Sequence, residues 1–321
     1  MRILVTGGAG FIGSHLVERL SRNGDRVIVL DDFSTASREV VNWVEKLPGV
    51  TIVKGSVLDK SLLTRTISGC QQIYHLAAAV GVKLVVEKPL QSFLTNVSGS
   101  HNVLELADKK KIPVLLTSSS EVYGKSDKLP FRENEDRVYG SVYNERWGYA
   151  LSKTSDEFLA LAYWRERGLP VVVVRLFNTV GPRQVGTYGM VVPRLVQQGL
   201  RNDDLTIYGD GLQIRSFSYV GDVVDGMLKL LNSKKSHGEI FNLGSPEPIT
   251  ILDLAKKIKV LMKSQSKLRM IPYRKVYGET FEDMRVRVPD ISKAKRIVGY
   301  KPKFTLDDTL KAVIDYYRKS L

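Results

Sequence analysis

The chain has 321 residues, 43% of them hydrophobic, enough for one large domain or two modest ones around real cores. Its single cysteine, Cys70, excludes a disulfide framework and a cysteine-based metal site, and no apolar run approaches the roughly 18 residues that a membrane span needs. The net charge of +14 does not point to nucleic acid, because Lys109-Lys110-Lys111, Lys234-Lys235 and Lys256-Lys257 fall at helix ends or in amphipathic patterns without interleaved aromatics.

The first apolar run, Met1–Val5, leads straight into Thr6-Gly7-Gly8-Ala9-Gly10-Phe11-Ile12-Gly13-Ser14. Gly7, Gly10 and Gly13 sit where a strand hands over to a helix spanning 11–23. Glycines there permit a tight turn, let the backbone approach a pyrophosphate, and leave the helix N-terminus aimed at its charge. A second apolar strand, 26–30, ends in Asp31-Asp32 about 20 residues on. An acid at that point accepts hydrogen bonds from a ribose and repels a 2′-phosphate, so the expected cofactor is NAD and not NADP. A strand beginning at residue 1 leaves no room for a cleaved leader, and a cytoplasmic location is expected.

Alternation continues with strands over 50–53, 72–76, 114–117 and 171–177 and helices over 59–69, 89–111 and 144–168. Several of these strands are continuous apolar runs, as in a parallel sheet covered on both faces. The pattern predicts a doubly wound, Rossmann-type α/β domain over 1–177. After Phe177 the turns at Gly181-Pro182, Gly209-Asp210-Gly211 and Pro246-Glu247-Pro248, with helices near 190–201, 250–263 and 305–319, predict a smaller C-terminal substrate-binding lobe over 178–321. Segments near 212–243, Ile240–Leu243 above all, are expected to return to the main sheet.

In open α/β sheets ligands sit beyond the carboxyl ends of the strands. The fifth strand is followed by Ser118-Ser119-Ser120-Glu121-Val122-Tyr123-Gly124. Some thirty residues later comes Tyr149-Ala150-Leu151-Ser152-Lys153, the one Tyr-x-x-x-Lys spacing in the chain. Residues four apart share a helix face. A nearby ammonium, together with an oxidised nicotinamide, lowers a tyrosine pKa toward the range of a general base, and a serine hydroxyl can hold the same substrate oxygen.

At these residues the chain resembles the extended short-chain dehydrogenase/reductases, specifically the NAD-dependent nucleotide-sugar epimerases, dehydratases and decarboxylases. The likeness runs through Thr6–His15, Asp31-Asp32, His75–Ala78, Asn96-Val97, Ser118–Gly124, Tyr149–Lys153, Arg175–Arg183 and Gly211–Phe217. It implies NAD reduced and reoxidised within one cycle, with a UDP-sugar oxidised at C4. Tyr149 is then the base, Lys153 its modulator and ribose anchor, and Ser119 the hydroxyl partner. Phe11, Ile12, Leu76, Ala77, Ala78, Asn96 and Phe177 join the cofactor site, and Asn178, Arg183 and Arg215 meet the nucleotide diphosphate. Helices 89–111 and 144–168 are the family's dimer-forming pair, so a homodimer is expected.

Ser120 stands where 4,6-dehydratases carry Asp, which disfavours dehydration. Ser120-Glu121 and the stretches Asn144–Tyr149 and Tyr277–Pro289 are similar to UDP-glucuronate decarboxylases, where the arginine matching Arg287 and the Ser-Glu pair work near the substrate carboxylate and C5. Ser119 and Val80-Gly81-Val82 resemble 4-epimerases instead. A decarboxylase is the leading expectation and a 4-epimerase the alternative. A non-catalytic NAD-binding protein would have no need of Tyr149 beside Lys153.

Overall fold

The continuous apolar strands of the first half pair as one seven-stranded parallel sheet in a computed structural model that describes residues 1–81, 85, 87–144, 146–186, 190–277 and 282–319. Val82, Glu145 and Gly278–Phe281, which carry part of the resemblance, lie outside the described residues.

The strands are β1 (Arg2–Thr6), β2 (Arg26–Asp31), β3 (Val50–Lys54), β4 (Gln72–His75), β5 (Val114–Ser119), β6 (Val171–Leu176) and β11 (Glu239–Leu243), in the order β11-β6-β5-β4-β1-β2-β3. Alternate residues of each apolar run serve opposite faces. Ile3, Val5, Val27, Val29, Val172 and Val174 enter one core with α1 (Phe11–Arg22) and α2 (Arg38–Glu45). Leu4, Ile28, Leu30, Val171 and Val173 enter the other with α3 (Lys60–Ile67), α4 (Pro89–Asp108) and α5 (Arg146–Arg167). The strand order reverses between β1 and β4, and the crevice at that switch point is where a doubly wound sheet takes its ligand.

The C-terminal lobe has its own core, where α6 (Val191–Leu200) and α8 (Ile251–Met262) meet α11 (Leu306–Lys319). Small sheets complete it: β8 (Leu205–Tyr208) with β13 (Leu268–Ile271), and β9 (Ile214–Ser216) between β12 (Pro248–Thr250) and β14 (Val286–Arg287). The short β7 (Thr179–Val180) and β10 (Ser218–Tyr219) pair between the lobes, and α9 (Arg274–Tyr277) is a single turn.

The span 212–243 divides. Helix α7 (Val220–Leu231) packs on the main sheet beside α1, and β11 pairs with β6. β9 does not return, because β12 and β14 take both its edges. Ala294 of α10 (Ser292–Val298) and Tyr300 pack into the main core although they lie far along the C-terminal half. Among the described residues four helices, α2, α7, α9 and α10, escape a reading by pattern. α7 carries Gly221 and Gly226, poor helix formers, yet a Cβ on Gly226 would lie 2.9 Å from the Tyr300 ring, so close packing requires the glycine. α2 is only two turns long and starts at Ser37, whose side chain accepts from Val40 N.

Candidate active site

A cleft of about 790 Å³ runs along the carboxyl ends of the strands, between the main sheet and the C-terminal lobe. One end is built from backbone. Gly7 has φ 70°, and a Cβ there would lie 2.7 Å from Ala77 N; a Cβ on Gly13 would lie 2.1 Å from Gly7 O. Both glycines therefore let chain segments touch. Gly10 differs, since a Cβ there meets only Gly7 O at 3.2 Å, and its bare side lines the cleft with Phe11 and Ile12. The α1 N-terminus has no side-chain cap and no acid in its first turn, so its free N–H groups and dipole are available to an anion.

Asp31 ends β2 and braces this loop. It accepts from Ala9 N at 2.9 Å and Phe33 N at 2.8 Å, and burial pushes its carboxyl above the usual range against those bonds. Asp32 is exposed and accepts from Ser34 N at 2.9 Å. Leu76, Ala77, Ala78 and Phe177 line the cleft. Asn96, expected on the cofactor, is buried next to the loop at 76–79, accepting from Ala79 N at 2.8 Å and donating to Ser152 Oγ at 3.1 Å. It shapes the 76–79 loop from inside.

In the middle of the cleft β5 delivers Ser119, which caps a 3₁₀ turn (Ser120–Tyr123) and accepts from Glu121 N at 3.2 Å; Ser120 is buried in that turn. Helix α5 brings Tyr149 and Lys153 to the same place. Burial raises the Tyr149 phenol above its ordinary value; Lys153 and a hydrogen bond with Ser119 oppose this, and the Glu121 charge reinforces it. In the chain without cofactor the Lys153 charge lowers the phenol but does not bring it below its ordinary value. The physical reason is burial of the phenol, which outweighs the Lys153 charge; the ammonium also pairs with Asp156 Oδ2 at 3.0 Å, and that carboxylate adds to the rise. Burial works against that ammonium, but Asp156 and Tyr149 raise its pKa overall.

The far end is a cluster of charges. Glu121 is gripped by Arg146, with Nε to Oε2 at 3.1 Å and Nη2 to Oε1 at 3.1 Å, and by Arg287 Nη1. Burial disfavours the Glu121 anion, yet Arg146 and Arg287 overcome it and hold the carboxyl below its usual range. Arg287 also donates to Asn178 Oδ1 at 2.6 Å. Asp283 Oδ1 accepts from Arg146 and Arg215, each at 2.9 Å, and its Oδ2 accepts from the Tyr273 hydroxyl at 2.6 Å. Burial and the neighbouring Arg287 lower the Arg215 guanidinium to about 10.

The structure therefore gathers Ser119, Ser120, Glu121, Tyr149, Lys153, Asn178, Arg215 and Arg287 in one cleft. Arg183 is set apart: it pairs with Glu18 at 2.8 Å and stacks over Trp43 at 4.0 Å, at the cleft margin. Sequence reasoning assigned no role to Arg146, Asp156, Tyr273 or Asp283. Arg146 had a legible signal, lying three residues before Tyr149 on the same helix face. Asp156 had the same kind of signal, three residues after Lys153, whereas Tyr273 and Asp283 had none, because only tertiary folding tells a paired group from a solvated one. No group of three or more His, Cys, Asp or Glu positioned to hold a metal occurs among the described residues.

A glycine cradle opposite a Tyr–Lys helix on a doubly wound sheet defines a dinucleotide-dependent enzyme. The model of the NAD-dependent epimerase/dehydratase family matches residues 3–244. UDP-N-acetyl-alpha-D-glucosaminuronate decarboxylase of Bacillus cytotoxicus is 41% identical over 99% of this chain and 98% of its own. UDP-glucuronic acid decarboxylase 1 of Arabidopsis thaliana is 38% identical over 100% of this chain and 71% of its own. A solved structure of UDP-glucuronic acid 4-epimerase from Bacillus cereus, in complex with UDP-glucuronic acid and NAD, matches with TM-score 0.89 and 30% identity over 100% of both chains. The chain belongs to the NAD-dependent epimerase/dehydratase family. It is an enzyme and NAD is its cofactor, which the bare Gly10 side, the uncapped helix and Asp31 fit.

Proposed function

We propose that this enzyme decarboxylates a UDP-uronate, UDP-glucuronate first, after oxidation at C4. The observation that carries the reading is Arg287. It lines the cleft with a buried Nε that makes no hydrogen bond among the described residues, next to a glutamate that a second arginine holds independently. Such a guanidinium suits a substrate carboxylate, and the decarboxylase relatives support it.

Gly7, Gly10 and Gly13 lie under the pyrophosphate and Asp31 takes the ribose hydroxyls. Bound NAD supplies the hydride acceptor for C4. Tyr149 takes the proton of the C4 hydroxyl while Ser119 Oγ holds the same oxygen and Lys153 sets the phenol's charge. Oxidation leaves a 4-keto acid whose C6 carboxylate is β to the ketone. The C5–C6 bond breaks, its electron pair moves into the C4 carbonyl as an enolate, carbon dioxide departs, and C5 takes a proton. Arg287 pairs bidentately with the C6 carboxylate and in turning to it leaves Glu121. With one of its two cations withdrawn, Glu121 gains proton affinity and can handle the proton at C5. In the free chain, held ionised, it is no acid. Arg215 and Asn178 meet the UDP diphosphate; Arg183 reaches it only by releasing Glu18.

Ser119 favours the second reading, UDP-uronate 4-epimerisation, in which the ketone is reduced before the C5–C6 bond breaks. The protein with NAD and UDP-glucuronate labelled at C6 is expected to release labelled carbon dioxide, and Arg287→Ala to abolish it. No release together with a 4-epimer seen by NMR would replace the decarboxylase by the epimerase. UDP-N-acetylglucosaminuronate in a parallel reaction decides between the two uronates. We also propose a homodimer, supported by Leu90 on α4 and Phe158 on α5, which are 72% and 71% exposed on neighbouring helices.

A further inference from the structure

Tyr149, Lys153 and Asp156 form one stripe of α5, at helical spacings of four and three. Lys153 and Asp156 are 3% and 0% exposed, and the Nζ–Oδ2 distance is 3.0 Å. The carboxylate is poorly served otherwise. Its Oδ1 makes no hydrogen bond of normal geometry among the described residues, although the Ser100 hydroxyl on α4 assists the ionised form. Behind Ser100 runs a buried chain: Ser100 Oγ lies 3.1 Å from His75 Nε2, His75 Nδ1 lies 2.7 Å from Thr6 Oγ1, and Thr6 Oγ1 accepts from Ala77 N at 3.3 Å on the cofactor loop.

Every other charge near the stripe is already matched. Glu121, on the 3₁₀ turn, is held by Arg146 and Arg287. Glu157, the next residue of α5, is held by Arg175 of β6 and by Arg137, and accepts from Ser118 of β5. His75 of β4 is kept neutral by burial and by the Lys153 charge, its pKa lowered to about 3. Asp156 is the carboxylate that pairs directly with the ammonium and competes with a Tyr149 phenolate for it; Glu157 acts on it only at longer range.

We propose that Asp156 is a positioning residue for the Tyr149–Lys153 pair, a buried carboxylate that restrains the ammonium and so resists ionisation of the phenol. With Tyr149 protonated, the stripe of phenol, ammonium and carboxylate is neutral. Loss of the phenolic proton leaves one net negative charge buried, which low local dielectric disfavours. Replacing the carboxylate by an amide of the same shape leaves a net positive stripe that ionisation neutralises.

The proposal rests on Tyr149 being the proton acceptor. Asp156→Asn is expected to move the acidic limb of kcat down by about 1 pH unit, and Asp156→Glu to restore it. Tyrosinate ultraviolet difference titration, with Tyr149→Phe subtracted, is expected to show the same shift without turnover. A folded Asp156→Asn protein whose limb and phenol titration stay in place, with only Tm lowered, assigns the residue a structural role and overturns the proposal. If that variant fails to fold, Ser100→Ala decides: it keeps all charges but removes a donor to the carboxylate, which then leans harder on the ammonium, so a smaller shift in the opposite direction is expected, and no shift overturns the proposal. Normal turnover by Tyr149→Phe would instead refute the assignment of the base, while the phenol titration would still report the hold of Asp156.

Discussion

The two ends of the cleft are built on opposite principles. The cofactor end is made of backbone: glycines that let segments touch, an uncapped helix start and one carboxylate bonded to neighbouring N–H groups. Most of it lies within the first 33 residues, joined by the loop at 76–79. The substrate end is made of side chains from positions 121, 146, 178, 215, 283 and 287, three guanidinium groups around two carboxylates, each held by the others. A backbone site tolerates local change of side chains, whereas a buried charge cluster fails as a unit when one member is removed. Between them lies Tyr149, the base of the proposed reaction.

That contrast can be broken or sharpened by experiment. The largest effect is expected from Tyr149→Phe, which removes the group that both ends serve. Turnover should fall on the order of 10²–10⁴ while NAD and UDP-sugar affinities, measured by calorimetry, stay near normal. Near-normal turnover would move the base elsewhere.

Next comes Arg146→Met at the charged end. It leaves buried Glu121 with Arg287 as its one remaining cation and Asp283 with Arg215, and a stability loss of about 3 kcal/mol is expected in urea unfolding. A variant as stable as the parent would show that the cluster does not depend on this arginine. At the backbone end, Asp31→Ala is expected to weaken NAD binding by about tenfold and relax discrimination against NADP, with the fold intact. Tighter binding of NADP than NAD by the parent protein would overturn the cofactor reading.

The smallest effect separates the ends by pH. His15, braced near the cofactor end against Pro182 O at 2.9 Å, is lowered to about 3, chiefly by burial and then by Arg183. The folded pKa lies below the ordinary value near 6.5, so the unfolded chain binds the proton first. Its contribution, and that of His75, is present above pH 6.5 and is lost progressively as pH falls toward 3. Glu121 and Asp283 also have lowered folded values, but their contribution persists to about pH 4.5 before it declines. Urea midpoints should therefore begin to fall near pH 6.5, by roughly 1–2 kcal/mol per histidine at pH 5, and His15→Gln should flatten that first slope. A parent curve flat down to pH 4.5 would show that neither histidine is buried neutral.

Local pattern determined the layers of this protein. Runs such as Val171–Val174 read as strands covered on both faces because every residue is apolar, and Gly7, Gly10, Gly13 and Asp31 could be placed because their roles depend on backbone geometry within a few residues. Tyr149 stood out by its spacing to Lys153, but Arg287 and Glu121 only through family motifs. Tertiary structure alone decided their state. It set Arg146 against Glu121, turned Arg183 to Glu18 and withdrew Asn96 behind the loop. Whether an ionisable side chain is a free reactant or half of a pair depends on burial and on partners tens to more than a hundred residues away, and no local pattern carries that information.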